Sequence, residues 1–406
     1  MKILLIISLF QPEPNHLKGL AYARQVAHQG HSVQVLTGFP NYPDGKVYKG
    51  YKVKWRMREL MDGIEVIRVA HYPSHDRSGM RRFINYFSFA LAASSIGLFS
   101  VRRPDVIHVS QGVPTIMLPA ILLKILYRVP IVLDIQDLWP ESVISSGMFH
   151  VPGGLWMLYL WCRFTYAVSK KIIVLSSGYK ALLEKRGVHR DKIEVVYNWC
   201  DESSIENLPR NENVGVKFGL QDKFNVVFTG TMGMVQALDA VLDAADIIKT
   251  ELPGVQLVFV GGGVDLPKLM DSASSRNLTN VVFIPRQPAS EISKILAFAD
   301  VLLIHLRGDL LGRIGIPQKT QAYLASGKPI IAAVDGEAAE IVKAAHAGIA
   351  CMPENSVAIA SAIRQLFSMP VTERETMGKN GQRYYHENFS FKKGVTEMIN
   401  IYQKSL

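Results

Sequence analysis

Residues 313–334 read RIGIPQKTQAYLASGKPIIAAV. Pro317-Gln318-Lys319 forms a lead-in loop, Thr320 to Ala325 have helical composition, and Gly327 stops the helix. Lys328-Pro329 then turns the chain into an apolar run that reads as a buried strand. The first turn of a helix leaves N–H groups without intrahelical acceptors, and Lys319 sits beside them. A lysine and loose amides facing one small volume suit an anionic ligand. The plainer reading is an ordinary strand–helix–strand connection capped by Gly327.

The alternation extends in both directions. The first half offers strands at 2–8, 32–37, 64–69, 105–109, 130–134, 171–175 and 193–197, with helices at 19–29, 82–100, 114–126, 155–168 and 178–186. The second half restarts with strands at 224–229, 255–260, 280–284, 300–304, 329–333 and 348–351. Helices at 236–250, 266–276, 289–298, 318–326, 337–346 and 355–367 fill its gaps. All-apolar strands alternating with helices predict parallel sheets covered on both faces. Two such runs, joined by a polar linker over Asp201–Val216, predict two doubly wound α/β domains, 1–200 and 201–385. A last helix, within 386–406, is expected to cross back to the first domain. Ligands of open parallel sheets bind at the carboxyl ends of the strands, and two facing domains make the cleft between them the expected site.

A chain of 406 residues is too long for one compact core. Its net charge of +10 is uneven: residues 1–205 carry 25 Lys and Arg against 15 Asp and Glu, and the remainder 20 against 20. A basic half could meet nucleic acid, an anionic membrane or a phosphorylated substrate. No nucleic-acid-binding pattern occurs, so nucleic acid is set aside. Three widely spaced cysteines, Cys162, Cys200 and Cys351, form no metal or disulfide pattern and suit a reduced cytosolic chain. MKILLIISLF resembles a signal peptide only briefly; its apolar run is short, and it reads better as the first strand. Gln11-Pro12-Glu13 stands where a dinucleotide-binding fold has its glycines, which argues against a nicotinamide dehydrogenase.

Glycine turns recur at successive strand ends of the second half. Phe228-Thr229-Gly230-Thr231-Met232-Gly233 precedes Gln236, Gly261-Gly262-Gly263 closes the next strand, and Arg286-Gln287 follows the third. Bare backbone lets amides approach a diphosphate closely, and an arginine could stack on a base or reach a phosphate. With Lys319 these ends are expected to converge on one nucleotide site.

In order, F-T-G-T-M-G, V-G-G-G, R-Q-P and P-Q-K-T-Q-A-Y-L-A-S-G-K-P resemble the family 4 glycosyltransferases of GT-B fold, which has two doubly wound Rossmann-like domains and an interdomain cleft. The first half agrees through Gln11-Pro12-Glu13, Thr37-Gly38-Phe39-Pro40-Asn41-Tyr42-Pro43, Asp62-Gly63-Ile64-Glu65-Val66 and Asp137-Leu138-Trp139-Pro140-Glu141-Ser142. Together they look like the subgroup containing N-acetyl-L-fucosamine transferases of bacterial O-antigen and capsule assembly. The resemblance implies a retaining, metal-independent hexosyltransferase, with a UDP-sugar as co-substrate and no cofactor; the chain has no D-x-D motif. It departs from the family at Ile314 and Ala322, where paired glutamates are usual, and at Gln236, near the usual lysine. Donor binding would then fall to Gly230, Thr231, Gly233, Gln236, Gly261, Gly262, Arg286, Gln287, Arg313 and Lys319. Asp137 and Glu141, after a buried strand, could stabilise an oxocarbenium-like centre or simply cap a helix. Glu13 and Gly19 mark a loop expected to touch acceptor or donor. His16, His71 and His108 could each act as a base, though a lone histidine is more often structural.

Residues 83–101, FINYFSFALAASSIGLFSV, are uncharged and flanked by arginine pairs. Spanning a membrane would split one sheet between compartments, so an interfacial helix is expected instead. Leu155-Trp156-Met157-Leu158-Tyr159-Leu160-Trp161 supplies further aromatic anchors. The alternative is a core helix with a solvated basic rim. A peripheral protein on the inner face of the cell membrane, taking a polyprenyl-diphosphate-linked saccharide as acceptor, fits the charge asymmetry. Two rivals are a GT-B-fold UDP-sugar epimerase and a catalytically inactive nucleotide- or lipid-binding partner.

Overall fold

The computed structural model describes residues 1–15, 17–74, 79–145, 153–205 and 208–406; His16, 75–78, 146–152 and two linker residues, 206 and 207, lie outside. The chain divides into two units. Unit 1 holds Met1–Tyr197 with Lys392–Leu406, and unit 2 holds Asn198–Phe391.

In unit 1, eight strands form one sheet: β1 (Lys2–Ile7), β2 (Ser32–Thr37), β3 (Arg56–Met61), β4 (Ile64–Val69), β5 (Val106–Gln111), β6 (Ile131–Ile135), β7 (Lys171–Val174) and β8 (Ile193–Val195). Their order is β3-β4-β2-β1-β5-β6-β7-β8. β1, β5 and β6 are buried almost throughout, because helices cover both faces. The chain moves one way from β1 to β2 and the other way from β4 through β7. Right-handed crossovers therefore put helices Gly79–Ala92, Met117–Tyr127 and Gly154–Val168 on one face and Leu20–His28 on the other. The C-terminal segment joins the second group, with the Tyr402 hydroxyl 2.5 Å from that of Tyr22.

One strand departs from the expected all-parallel pattern. β3 runs antiparallel to β4, joined by Asp62-Gly63 with both φ positive (49° and 83°), a tight hairpin geometry. Its sequence, RMRELM, alternates without ever becoming buried. It is a charged edge, which blocks further pairing.

Unit 2 has β9 (Phe224–Thr231), β10 (Val255–Gly262), β11 (Val281–Pro285), β12 (Ala299–His305), β13 (Ile330–Ala333) and β14 (Gly348–Cys351), in the order β11-β10-β9-β12-β13-β14, all parallel. The strand order reverses between β9 and β12, and the carboxyl ends there form the switch-point crevice of a doubly wound sheet. The core packs Phe228, Phe259 and Leu257 with Val241, Ile248, Ile359 and Leu366.

The expected linker is partly helical. Glu212–Phe218 is a helix whose N-cap Asn211 accepts from the Val214 N–H, and Gly219 ends it with a left-handed turn. The helix expected from 236 starts at Asp239, because Ala237 is left-handed (φ 45°). A helix at Val371–Asn388 escaped the sequence reading because its buried face is Gly378, Gly381 and Tyr385 rather than an apolar stripe. Those glycines let it lie directly on the end of helix Gln318–Ala325; a Cβ at Gly378 would fall 2.0 Å from the Gly327 carbonyl oxygen.

That contact sets the first prediction. Gly378→Ala should destabilise unit 2 by about 1–3 kcal/mol through overpacking, read as a lower urea midpoint at unchanged slope. An unchanged midpoint would show that the helix end is free to move.

Candidate functional site

The site is built from backbone first. β9 and β10 pair in register, Gly230 opposite Gly261 and Thr231 opposite Gly262. Gly261 has φ +143°, and a Cβ there would fall 2.0 Å from the Gly230 oxygen. Only glycine fits, and the strand ends are left bare of side chains. Gly262 has open space around its α-carbon, Gly230 and Thr231 are exposed, and Gly233 is buried beside Gln236.

Lys319 projects into this bare ground from the first turn of helix Gln318–Ala325. A Cβ on Gly230 would lie 3.2 Å from Lys319 Cε and 3.7 Å from Nζ. The ammonium stands 3.4 Å from the centroid of the Phe228 ring, a cation–π contact. It is buried and has no hydrogen-bond partner among the described residues. Burial pushes its pKa down from 10.5 to about 7. A charge held this way is stabilised by an anion arriving opposite it.

Two further side chains hold the ground steady. The Tyr323 hydroxyl accepts from the Thr229 N–H at 2.9 Å and bonds the Thr229 hydroxyl at 3.1 Å, pinning the helix to the end of β9. His305, at the end of β12, lies between the Gln236 carbonyl (2.7 Å from Nδ1) and the Glu354 N–H (3.0 Å from Nε2). Nδ1 therefore donates and Nε2 accepts, and burial lowers its pKa, so the ring is neutral. Sequence reasoning gave Phe228, Tyr323 and His305 no role, although Phe228 and Tyr323 lie within the quoted motifs and His305 directly follows the strand read at 300–304.

The remaining donor candidates are dispersed. Arg286 is exposed at the end of edge strand β11, with β10 between it and β9. The Gln287 amide donates to the Pro285 carbonyl. Arg313 is exposed, 3.5 Å from Asp335. Ile314 and Ala322 are half-buried and bring no carboxylate. Two other carboxylates stand close by: a Cβ on Gly308 would lie 3.7 Å from Asp335 and 3.8 Å from Glu354, and Glu354 accepts from the Gly308 N–H at 2.9 Å.

In unit 1, Asp137 follows β6 with its N–H on the Gln111 carbonyl. It is open to solvent, yet the protein mass around it pushes its carboxyl up to about 6. Glu141 is ion-paired to Arg186, which also donates to the Trp139 carbonyl and so braces helix Glu141–Ser145. Glu13 is buried and accepts from the backbone N–H groups of Phe10, Asn41 and Tyr42, tying the loop after β1 to the loop after β2. Gly19 precedes helix Leu20–His28, and a Cβ there would meet the Asn15 oxygen at 2.1 Å. His71 and His108 are buried; burial lowers them to about 4 and about 3, which keeps them neutral.

Residues 20–199 match the Glycosyl transferase 4-like domain family, and residues 211–384 match the Glycosyl transferases group 1 family. WcaI of Escherichia coli K12, a glycosyl transferase assigned to colanic acid biosynthesis, is 25% identical over 85% of this chain and 86% of its own. WbjE of Pseudomonas aeruginosa, named as a glycosyltransferase, is 22% identical over 78% of each. Among solved structures, Anabaena HepE in complex with UDP-glucose superposes with a TM-score of 0.69 at 14% identity, covering all of both chains.

The lysine's titration is measurable without a ligand. Folded Lys319 titrates near 7 and its unfolded counterpart near 10.5, so between these values the unfolded chain binds more protons and stability rises with pH. Lys319→Met should remove that slope and raise the melting temperature at neutral pH. A variant with the same slope and no gain would contradict an unpaired buried amine.

Proposed function

The chain belongs to the family 4 glycosyltransferases of GT-B fold, and we propose that it moves a sugar, with retention of configuration, from a UDP-sugar to a lipid-linked saccharide. The observation that carries the donor reading is Lys319, a buried, unpartnered ammonium over bare glycine backbone at the β9/β12 switch point. A nucleoside diphosphate is the chemistry such a place takes: its phosphates meet the ammonium and the exposed amides at the strand ends. The fold-level relative that binds UDP-glucose favours uridine as the base.

When the sugar departs, negative charge grows on the diphosphate, and a fixed cation with fixed dipoles stabilises it without a general acid or a metal. Donor binding is shared among Gly230, Thr231, Gly261, Gly262 and Lys319, with Arg286, Gln287 and Arg313 reaching the outer parts of the nucleotide. Asp335 and Glu354, around Gly308, take over the ribose contacts that paired glutamates at positions 314 and 322 would make. Of the two carboxylates in unit 1, Asp137 is the one open to solvent, whereas Glu141 is occupied by Arg186. Asp137 stabilises the oxocarbenium-like centre in its ionised form.

The acceptor is a polyprenyl-diphosphate saccharide of surface-polysaccharide assembly, O-antigen or capsule, with N-acetylfucosamine as the donor sugar. The likeness to WcaI, assigned to colanic acid biosynthesis, favours a polysaccharide pathway. No helix among the described residues is long and apolar enough to cross a membrane. Unit 1 nevertheless exposes Phe83 (55%), Trp156 (66%) and Met157 (68%) on helices sharing one face of its sheet. This face rests on the anionic inner surface of the cell membrane. The absence of glutamates at Ile314 and Ala322 favours one rival, an inactive nucleotide-binding partner.

Thermal stabilisation by UDP, GDP, CMP and ADP tests the donor reading by mass action. UDP alone should raise the melting temperature, and Lys319→Ala should abolish the shift; no shift with any nucleotide would refute it. For the chemistry, transfer by the wild type should rise as pH rises through about 6, following ionisation of Asp137. Asp137→Asn should lower transfer about 10²-fold or more while leaving the UDP shift intact. A UDP shift with no turnover of any UDP-sugar would favour the inactive partner.

A further inference from the structure

A cavity of about 520 Å³ opens in unit 1 where helices Met117–Tyr127 and Gly154–Val168 end. Its charged lining is Lys124, Arg128, Lys170 and Lys192, with no carboxylate. Lys124 donates to the Val168 carbonyl at 2.5 Å, and Lys192 donates to the Ala167 carbonyl at 2.9 Å. These two lysines satisfy the last carbonyls of a helix, and the helix dipole offsets part of their charge. Arg128 and Lys170 cap no carbonyl with their side chains: both are exposed, and neither has an ion pair among the described residues. Arg128 also holds a left-handed conformation (φ 56°) at the end of its helix, where glycine or asparagine is usual. Burial, and then the charges of Lys124 and Lys170, lower the pKa of Lys192, so the cations are close enough to repel one another.

Apolar side chains flank the cations. Ile125 (69% exposed) lines the cavity, and Leu126 (52%) follows it on the same helix. A free phosphate ion would satisfy the cations and leave these side chains in water. A ligand carrying both a phosphate and hydrocarbon uses both.

We propose that this cavity seats the phosphate of an anionic membrane phospholipid, with Ile125 and Leu126 entering the acyl boundary beside it. The proposal rests on the reading that unit 1 docks on a membrane, and it adds a headgroup site to that apolar face. Cations near an anionic surface each strengthen adsorption, and the gain is screened by salt.

The test uses the full chain with vesicles of phosphatidylglycerol in phosphatidylcholine, and of phosphatidylcholine alone. Arg128→Gln with Lys170→Gln removes two exposed charges that make no ion pair among the described residues, so melting temperature and UDP response should stay close to wild-type values. The wild type should sediment with phosphatidylglycerol vesicles in a salt-sensitive manner. The double variant should lose at least tenfold in that partition and keep whatever partition the neutral vesicles give. Equal partition of variant and wild type on phosphatidylglycerol would overturn the headgroup site while leaving membrane docking intact. Stabilisation of the wild type alone by inorganic phosphate, with equal vesicle binding, would assign the cavity to free phosphate and overturn the lipid. A wild type that ignores every vesicle would remove the docking reading and this site with it.

Discussion

A buried ammonium with no anion opposite it governs unit 2. No carboxylate or carbonyl among the described residues bonds the Lys319 ammonium, and the strand ends beside it carry glycine rather than a side chain that could. Gly261 admits no Cβ, and Gly230 sits against the lysine's own methylene. The neighbouring contacts preserve this state. Tyr323 ties the helix to Thr229, neutral His305 ties the loop at Gln236 to Glu354, and the glycine face of Val371–Asn388 packs against the far end of the same helix. Removing an ammonium from water without a partner costs several kcal/mol, so this arrangement opposes folding and favours an anion. A site of this kind is organised before its ligand arrives, which is what charge stabilisation during bond breaking requires.

Unit 1 follows the opposite rule, because most of its buried charge is already matched. Glu13 is spent on three backbone amides, Glu141 on Arg186, and buried Lys18 faces buried Asp134 at 3.8 Å. These groups shape loops and hold the sheet's carboxyl edge. Asp137 differs in being open to solvent while the surrounding protein raises its carboxyl pKa. The division of labour follows: unit 2 carries the uncompensated cation, and unit 1 carries a carboxylate able to change charge near neutrality.

Much of this was legible in the sequence, and the failures have physical causes. Largely apolar strands such as IVLDI and the glycine turns announced both parallel sheets and the end of β9. Lys319 was legible because a lysine beside loose helix-start amides has few uses other than an anion. β3 was not, since an exposed edge strand has no buried face and RMRELM has the composition of a loop; Asp62-Gly63 was the available signal. The helix at 371–388 was hidden because its contact face is glycine, and periodicity analysis counts apolar side chains. Arg286 and Arg313 look equivalent to Lys319 in one dimension, yet both are exposed and only Lys319 has its charge enclosed. Aromatic support from Phe228 and Tyr323 became visible only with ring positions and hydroxyl partners in hand.

Calorimetry of UDP binding at about pH 8, in two buffers of different ionisation enthalpy, reads the charge on Lys319 directly. Lys319, near 7 in the free protein, is mostly neutral there, and a diphosphate beside it would raise its pKa and draw in a proton. Wild type should take up close to one proton per UDP bound, and Lys319→Met none. Tight UDP binding with no proton uptake would contradict this, because the ammonium would then already be charged or would lie away from the phosphates.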